Sequence, residues 1–169
     1  GIAMSWWGNP FAGFRSSQAL KAGLAATDAA RASGAGTDRE KAYVGAVDLL
    51  FRDAATVDQR ARTIAYEKAM ESIAATYADD IEARIFYALA LDQTALPTDK
   101  TYANQLKAAA ILEAEFKRQP EHPGLAHYII HSFDVAALAN DAAADLPESL
   151  GMFAGATTST PALQAVLDA

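Results

Sequence analysis

Tyr66-Glu67-Lys68-Ala69-Met70-Glu71-Ser72-Ile73-Ala74-Ala75-Thr76-Tyr77 decides the fold class. Tyr66, Ala69, Met70, Ile73, Ala74 and Tyr77 recur at three- and four-residue steps over three turns, the stripe of a helix lying on a core. The stretches on either side repeat the theme. Upstream, Thr37-Asp38-Arg39-Glu40 is a capping box, with the cap hydroxyl first and a glutamate three residues on. The helix it opens carries Tyr43, Ala46, Val47, Leu50 and Phe51 on one face, before a break near Asp53-Ala54-Ala55-Thr56. Earlier still, Ser16-Ser17 caps a helix running to Ser33, which Gly34 and Gly36 end. Its face of Ala22, Gly23, Ala26 and Ala30 is small enough to let a neighbour come close.

Downstream, Asp79-Asp80-Ile81-Glu82 reads as a second capping box. The helix after it has Ala83, Phe86, Tyr87 and Ala90 on one face and Ile81, Ile85 and Leu89 on another, so it is expected to be covered on two sides. Pro97-Thr98-Asp99 breaks it. A further helix is predicted from about Tyr102 to Arg118, stopped by Pro120, and another from Pro123 with Leu125, Ala126, Ile129, Ile130 and Phe133 on its apolar arc. No period-2 alternation is sustained, so no sheet is expected. After about Asn140 the signal decays into Ala, Gly and Thr, with one late helix from Thr160-Pro161.

Composition agrees. Of 169 residues 41 are alanine, the best helix former and the smallest side chain that still packs. Cysteine is absent, which excludes disulfide scaffolds, thiolate metal sites and thiol nucleophiles. A net charge of −7 argues against a nucleic-acid backbone as partner. No apolar run approaches the roughly 20 residues of a membrane span, and no basic segment leads into a hydrophobic stretch as a secretory signal would. The opening Gly1-Ile2-Ala3-Met4-Ser5-Trp6-Trp7 reads like the middle of a helix, so the chain is expected to be a fragment of a longer array, its compartment open between cytoplasmic and exported. Trp6-Trp7 with Asn9-Pro10-Phe11 is expected to close one end of the helical stack.

Helices of this length joined by short loops suggest antiparallel hairpins. Ile73-x-x-x-Tyr77 recurs as Leu112-x-x-x-Phe116, each followed by a polar turn and a further helix, at a step of about 39 residues. Two helices per step of that size belong to the α-solenoid repeats.

All three histidines lie in Glu121-His122-Pro123-Gly124-Leu125-Ala126-His127-Tyr128-Ile129-Ile130-His131-Ser132-Phe133-Asp134. On a helix His127, His131 and Asp134 fall within about 60° of one another, bordering the buried face. Two imidazoles four residues apart can hold zinc or copper, with Asp134 as third ligand or as acceptor, and His122 joins only if the loop folds back. A zinc-protease helix would carry glutamate after its first histidine, where this chain has Tyr128. The bland alternative is structural: one ring caps the helix, another bonds a buried carbonyl, and Asp134 orients a ring. The carboxylates Asp79, Asp80 and Glu82 are explained by capping alone. No phosphate-cradling glycine pattern and no Gly-x-Ser-x-Gly elbow is present, and no nucleophile stands out.

The His-Pro-Gly-x-x-His-Tyr-x-Ile-His-Ser-x-Asp block resembles a family of bacterial tetratricopeptide-repeat-like proteins. Similar to the same family are Trp7-Gly8-Asn9-Pro10-Phe11, Asp38-Arg39-Glu40 before Tyr43, Tyr66-Glu67-x-Ala69-Met70, Phe86-Tyr87-Ala88-Leu89-Ala90 and Thr101-Tyr102-Ala103-Asn104-Gln105-Leu106. The resemblance covers residues 1–139 and implies a helical-repeat interaction protein with no assigned reaction and no catalytic residue to carry over. Family members continue past the Asp134 position into further repeats, with another pair of histidines four apart; residues 140–169 of this chain look unlike them.

The expectation is therefore an all-α chain of antiparallel helix hairpins stacked as a short tetratricopeptide-like α-solenoid, residues 1–139, followed by a divergent tail, residues 140–169. Its expected function is non-catalytic binding of a peptide or protein in a concave groove, with Tyr87, Asn104, His127, Tyr128, His131 and Asp134 as lining groups and no cofactor. A solenoid cut at both ends further predicts a homodimer or a tail folded back over the exposed helix. The competing expectation is a metal-binding protein or metal-dependent enzyme using His127, His131 and Asp134. In that case the two imidazole nitrogens converge, whereas a binding surface splays them or bonds them to backbone.

Overall fold

A computed structural model of the chain describes residues 15–34 and 36–134. The described residues form six helices and no strand: α1 (Ser17–Ala32), α2 (Asp38–Asp48), α3 (Gln59–Thr76), α4 (Ile81–Thr94), α5 (Ala103–Arg118) and α6 (Leu125–Phe133). The fold class is all-α. Trp6-Trp7, Asn9-Pro10-Phe11, residues 135–139 and the tail of residues 140–169 with its expected late helix lie outside the described residues. Two compact units divide between Thr94 and Ala95, the first holding α1 to α4 and the second α5 and α6. In the first unit α1 packs on α2, α2 on α3 and α3 on α4; in the second α5 packs on α6.

Helix α1 begins where Ser16 Oγ accepts the Ala19 amide at 3.2 Å and ends before Gly34, whose φ of +62° suits a residue without Cβ. The small face is buried as expected at Gly23 and Ala26, joined by Thr27. A Cβ on Gly23 would clash with the ring of Phe51, which is itself buried. Gly23→Ala is therefore expected to destabilise by about 1–3 kcal/mol, the overpacking cost exceeding the gain in helix propensity. Thermal melts should show a lowered Tm; an unchanged or raised one would mean that the α1 backbone does not approach Phe51 so closely.

The capping box of α2 forms both of its bonds, Glu40 N–H to Thr37 Oγ1 at 3.3 Å and Thr37 N–H to Glu40 Oε2 at 2.7 Å. Regular helix stops at Asp48 rather than running on to Phe51. The amides of Leu49, Leu50 and Phe51 bond to carbonyls three residues back, at 3.2, 3.1 and 3.0 Å, so the chain tightens while Leu50 and Phe51 still reach the core. The chain then passes through Asp53 in the left-handed region, φ +57°. Arg62, buried in α3, donates to the carbonyls of Leu50 and Val57 and ties this segment down.

Asp48 is 2 % exposed and sits between α1 and α2. Its carboxylate accepts from Thr27 Oγ1 at 2.7 Å, Arg31 Nη2 at 2.8 Å, and Arg52 Nε and Nη2 at 2.5 and 2.8 Å. Burial pushes this carboxyl up, but the Arg52 and Thr27 hydrogen bonds and the charges of Arg31 and Arg52 outweigh it and hold it below the usual range.

In α3, Asp58 Oδ1 caps the Ala61 amide at 3.0 Å, and Tyr66, Met70 and Ile73 of the expected stripe are buried. Arg62, Thr63 and Glu67 are buried beside them, a wider arc than hydrophobicity alone marks. The cap of α4 is Asp80, accepting the Ala83 amide at 3.3 Å, one residue later than the capping-box reading from Asp79. Both faces of α4 are buried as expected, at Ala83, Tyr87 and Ala90 and at Ile85 and Leu89.

Helices α1, α3 and α5 begin at residues 17, 59 and 103, and their partners α2, α4 and α6 at 38, 81 and 125. Both sets of helix starts are thus spaced by about 43 residues, slightly longer than the step between Ile73 and Leu112. The difference arises because Leu112 lies earlier in α5 than Ile73 does in α3.

Candidate functional site

The histidine block is built from a turn and a short helix. After α5 the His122 amide bonds to Gln119 O at 3.1 Å, and His122 Nδ1 accepts the Gly124 amide at 3.2 Å. That turn keeps Pro123 out of the helix. The helical residues begin at Leu125, with Gly124 as N-cap, two positions later than expected from Pro123. A Cβ on Gly124 would come within 2.6 Å of the half-buried Tyr128 ring, which would have to shift. Leu125, Ile129, Ile130 and Phe133 are buried, as their spacing predicts, and leave His127, Tyr128 and His131 half-buried along the edge. Ser132, which hydrophobicity does not mark, is also buried and donates to Tyr128 O at 3.3 Å.

Across that edge His127 and His131 meet. Their Nε2 atoms are 2.9 Å apart and their rings pack edge to face, with centroids at 4.5 Å and planes at 85°. Tyr128 stands edge-on to His127 at 6.0 Å. One imidazole donates Nε2–H and the other accepts, so the pair carries one proton between its facing nitrogens. Burial lowers the His131 pKa and His127 lowers it further, against the pull of Asp134. Asp134 ends the helix, its amide bonded to His131 O at 3.3 Å; burial raises its carboxyl and His131 draws it back.

The two nitrogens face each other across a hydrogen bond, neither splayed nor bonded to backbone. The wider ligand set does not assemble: among the described residues no group of three or more His, Asp or Glu side chains is placed to hold a metal ion. His122 serves its own turn. Of the other expected lining groups, Asn104 is half-buried in the first turn of α5. Tyr87, in the first unit, is buried, its hydroxyl donating to Glu71 Oε1 at 2.7 Å.

Hydrophobic patterning misses a second polar cluster, on the first unit. Asp80 Oδ2 accepts from Arg39 Nε at 2.5 Å and from the Tyr43 hydroxyl at 2.8 Å, while Arg39 lies over the Tyr43 ring at 5.2 Å. Burial pushes Asp80 up, but Arg39, Tyr43 and the Ala83 amide hold it below the usual carboxylate range. Burial and the Asp80 bond together raise the Tyr43 pKa. Capping thus explains Asp80 only in part, since it also joins α2 to α4.

The chain matches no protein-family model, no curated protein and no solved structure. Among the described residues no helix is long and apolar enough to cross a membrane.

Proposed function

We propose that this chain is a non-catalytic module of a tetratricopeptide-like α-solenoid that binds a peptide or protein in its concave groove. The recurrence of helix starts at residues 17, 59 and 103, each followed by a second helix after nearly the same interval, carries the reading. A two-helix unit cannot bury its faces alone, so equal units in series gain stability by stacking on one another and leave an extended surface for a ligand. Within each of the two compact units, helices that pack on their neighbours in chain order support the same reading. The groups suited to line such a surface are Asn104, His127, Tyr128, His131 and Asp134 of the second unit, Tyr87 of the first being buried. A net charge of −7 favours a partner carrying positive charge. A second copy of the chain is a further occupant of the same surface.

The test is selection from a displayed peptide library, followed by calorimetry on the recovered peptides. Peptides enriched in Lys or Arg are expected to bind, and Tyr128→Ala to weaken them by about 30-fold if that ring is an interface anchor. Recovery of no binder, or of binders indifferent to substitution at all five positions of the second unit, would sink the reading.

A further inference from the structure

We propose that His127 and His131 form a two-point chelate for a single Cu(II) ion on the half-exposed edge of α6, with solvent completing the coordination. The argument is geometric. The two nitrogens face each other at 2.9 Å, one helical turn apart on the same helix. A first-row ion lies roughly 2.0–2.1 Å from each imidazole nitrogen, so cis positions of a square-planar ion are about 2.9 Å apart and tetrahedral positions about 3.4 Å apart. The observed separation, set by the shared hydrogen bond, already lies close to the square-planar edge, and Cu(II) is the tightest binder of the first-row series.

The surroundings hold the pair ready. Buried Leu125, Ile129, Ile130 and Phe133 anchor the opposite side of the helix, and the Tyr128 ring packs edge-on against His127. Binding needs both Nε2 lone pairs. The ring that donates Nε2–H moves that proton to Nδ1 through solvent, the shared hydrogen bond breaks, and two nitrogen–metal bonds form with no net proton released from a neutral pair. Because, among the described residues, no third side chain is placed to join, the pair is proposed as a weak chelate open to exchange rather than a closed metal centre.

Titration of the full chain with Cu(II) by calorimetry is expected to give one ion per chain. Electron spin echo modulation of the loaded parent protein should count two imidazole nitrogens. Linking two ligands makes the second bond intramolecular, so His127→Gln and His131→Gln should each weaken binding on the order of 10²-fold. Zn(II) should bind more weakly than Cu(II). The spectrum of the parent needs no variant to fold, and a count of one imidazole or none would overturn the proposal. So would Cu(II) binding insensitive to both substitutions, dependence on His122 instead, or tighter binding of Zn(II).

Discussion

Met70→Asp is expected to abolish cooperative folding of the first unit. Met70 is fully buried at the centre of the α3 stripe, beside Tyr66 and Ile73. An aspartate there exchanges packed apolar surface for a carboxylate with no designed partner, and must be either desolvated or protonated. The loss should exceed about 4 kcal/mol, a large part of the 5–15 kcal/mol that typically holds a domain together. Met70→Leu preserves volume and should cost less than about 1.5 kcal/mol. Urea denaturation followed by circular dichroism separates the two cases. If the aspartate variant unfolds at the parent's midpoint, the stripe from Tyr66 to Tyr77 faces solvent and the fold is wrongly assigned.

The second large effect is expected at Asp48. Asp48→Ala removes the acceptor of Thr27, Arg31 and Arg52 and leaves the wholly buried Thr27 hydroxyl without that partner. The two arginines are 49 % and 38 % exposed at their side chains, so they rehydrate, and the cost falls below that of stranding a buried charge. A loss of about 2–4 kcal/mol near neutral pH follows. Its pH dependence has a definite sign. The folded-state pKa lies below the unfolded value near 3.9, so the unfolded chain takes up the proton first. The stabilisation is present above the unfolded value and is lost as pH falls through the folded one. The stability gap between parent and Asp48→Ala should therefore hold from neutral pH to about pH 5 and narrow steadily toward pH 2. A gap of constant size over that range would mean that the ionised carboxylate contributes nothing.

Local patterns carried much of this structure. Caps are local hydrogen bonds and apolar stripes are local periodicities, so all six described helices were legible, and the Ser16 and Thr37 caps need only neighbours within three residues. The displaced boundaries have local explanations that depend on geometry rather than composition. The end of α2 tightens after Asp48 so that Leu50 and Phe51 can turn into the core, and the start of α6 is delayed because His122 captures the Gly124 amide. Spacing of four likewise placed His127 and His131 on one face. Spacing cannot say whether two rings splay or converge. That depends on the rotamers allowed once Leu125, Ile129, Ile130 and Phe133 are buried, and the outcome is a nitrogen pair at 2.9 Å with Asp134 and His122 outside a common ligand set.

By itself, then, the sequence determined an all-α chain, its helix order and the edge on which its histidines lie, because each of these is encoded within one or two turns. Only the tertiary structure decided that Asp48 would gather Thr27, Arg31 and Arg52, and that Asp80 would serve both as a cap and as the partner of Arg39 and Tyr43. Arg52 is local, four residues past Asp48, but the other partners come from other helices, Thr27 and Asp48 being 21 residues apart and Arg39 and Asp80 41 apart. A buried carboxylate is tolerated only where packing delivers donors to it, and that delivery is a property of how helices meet rather than of any segment read alone.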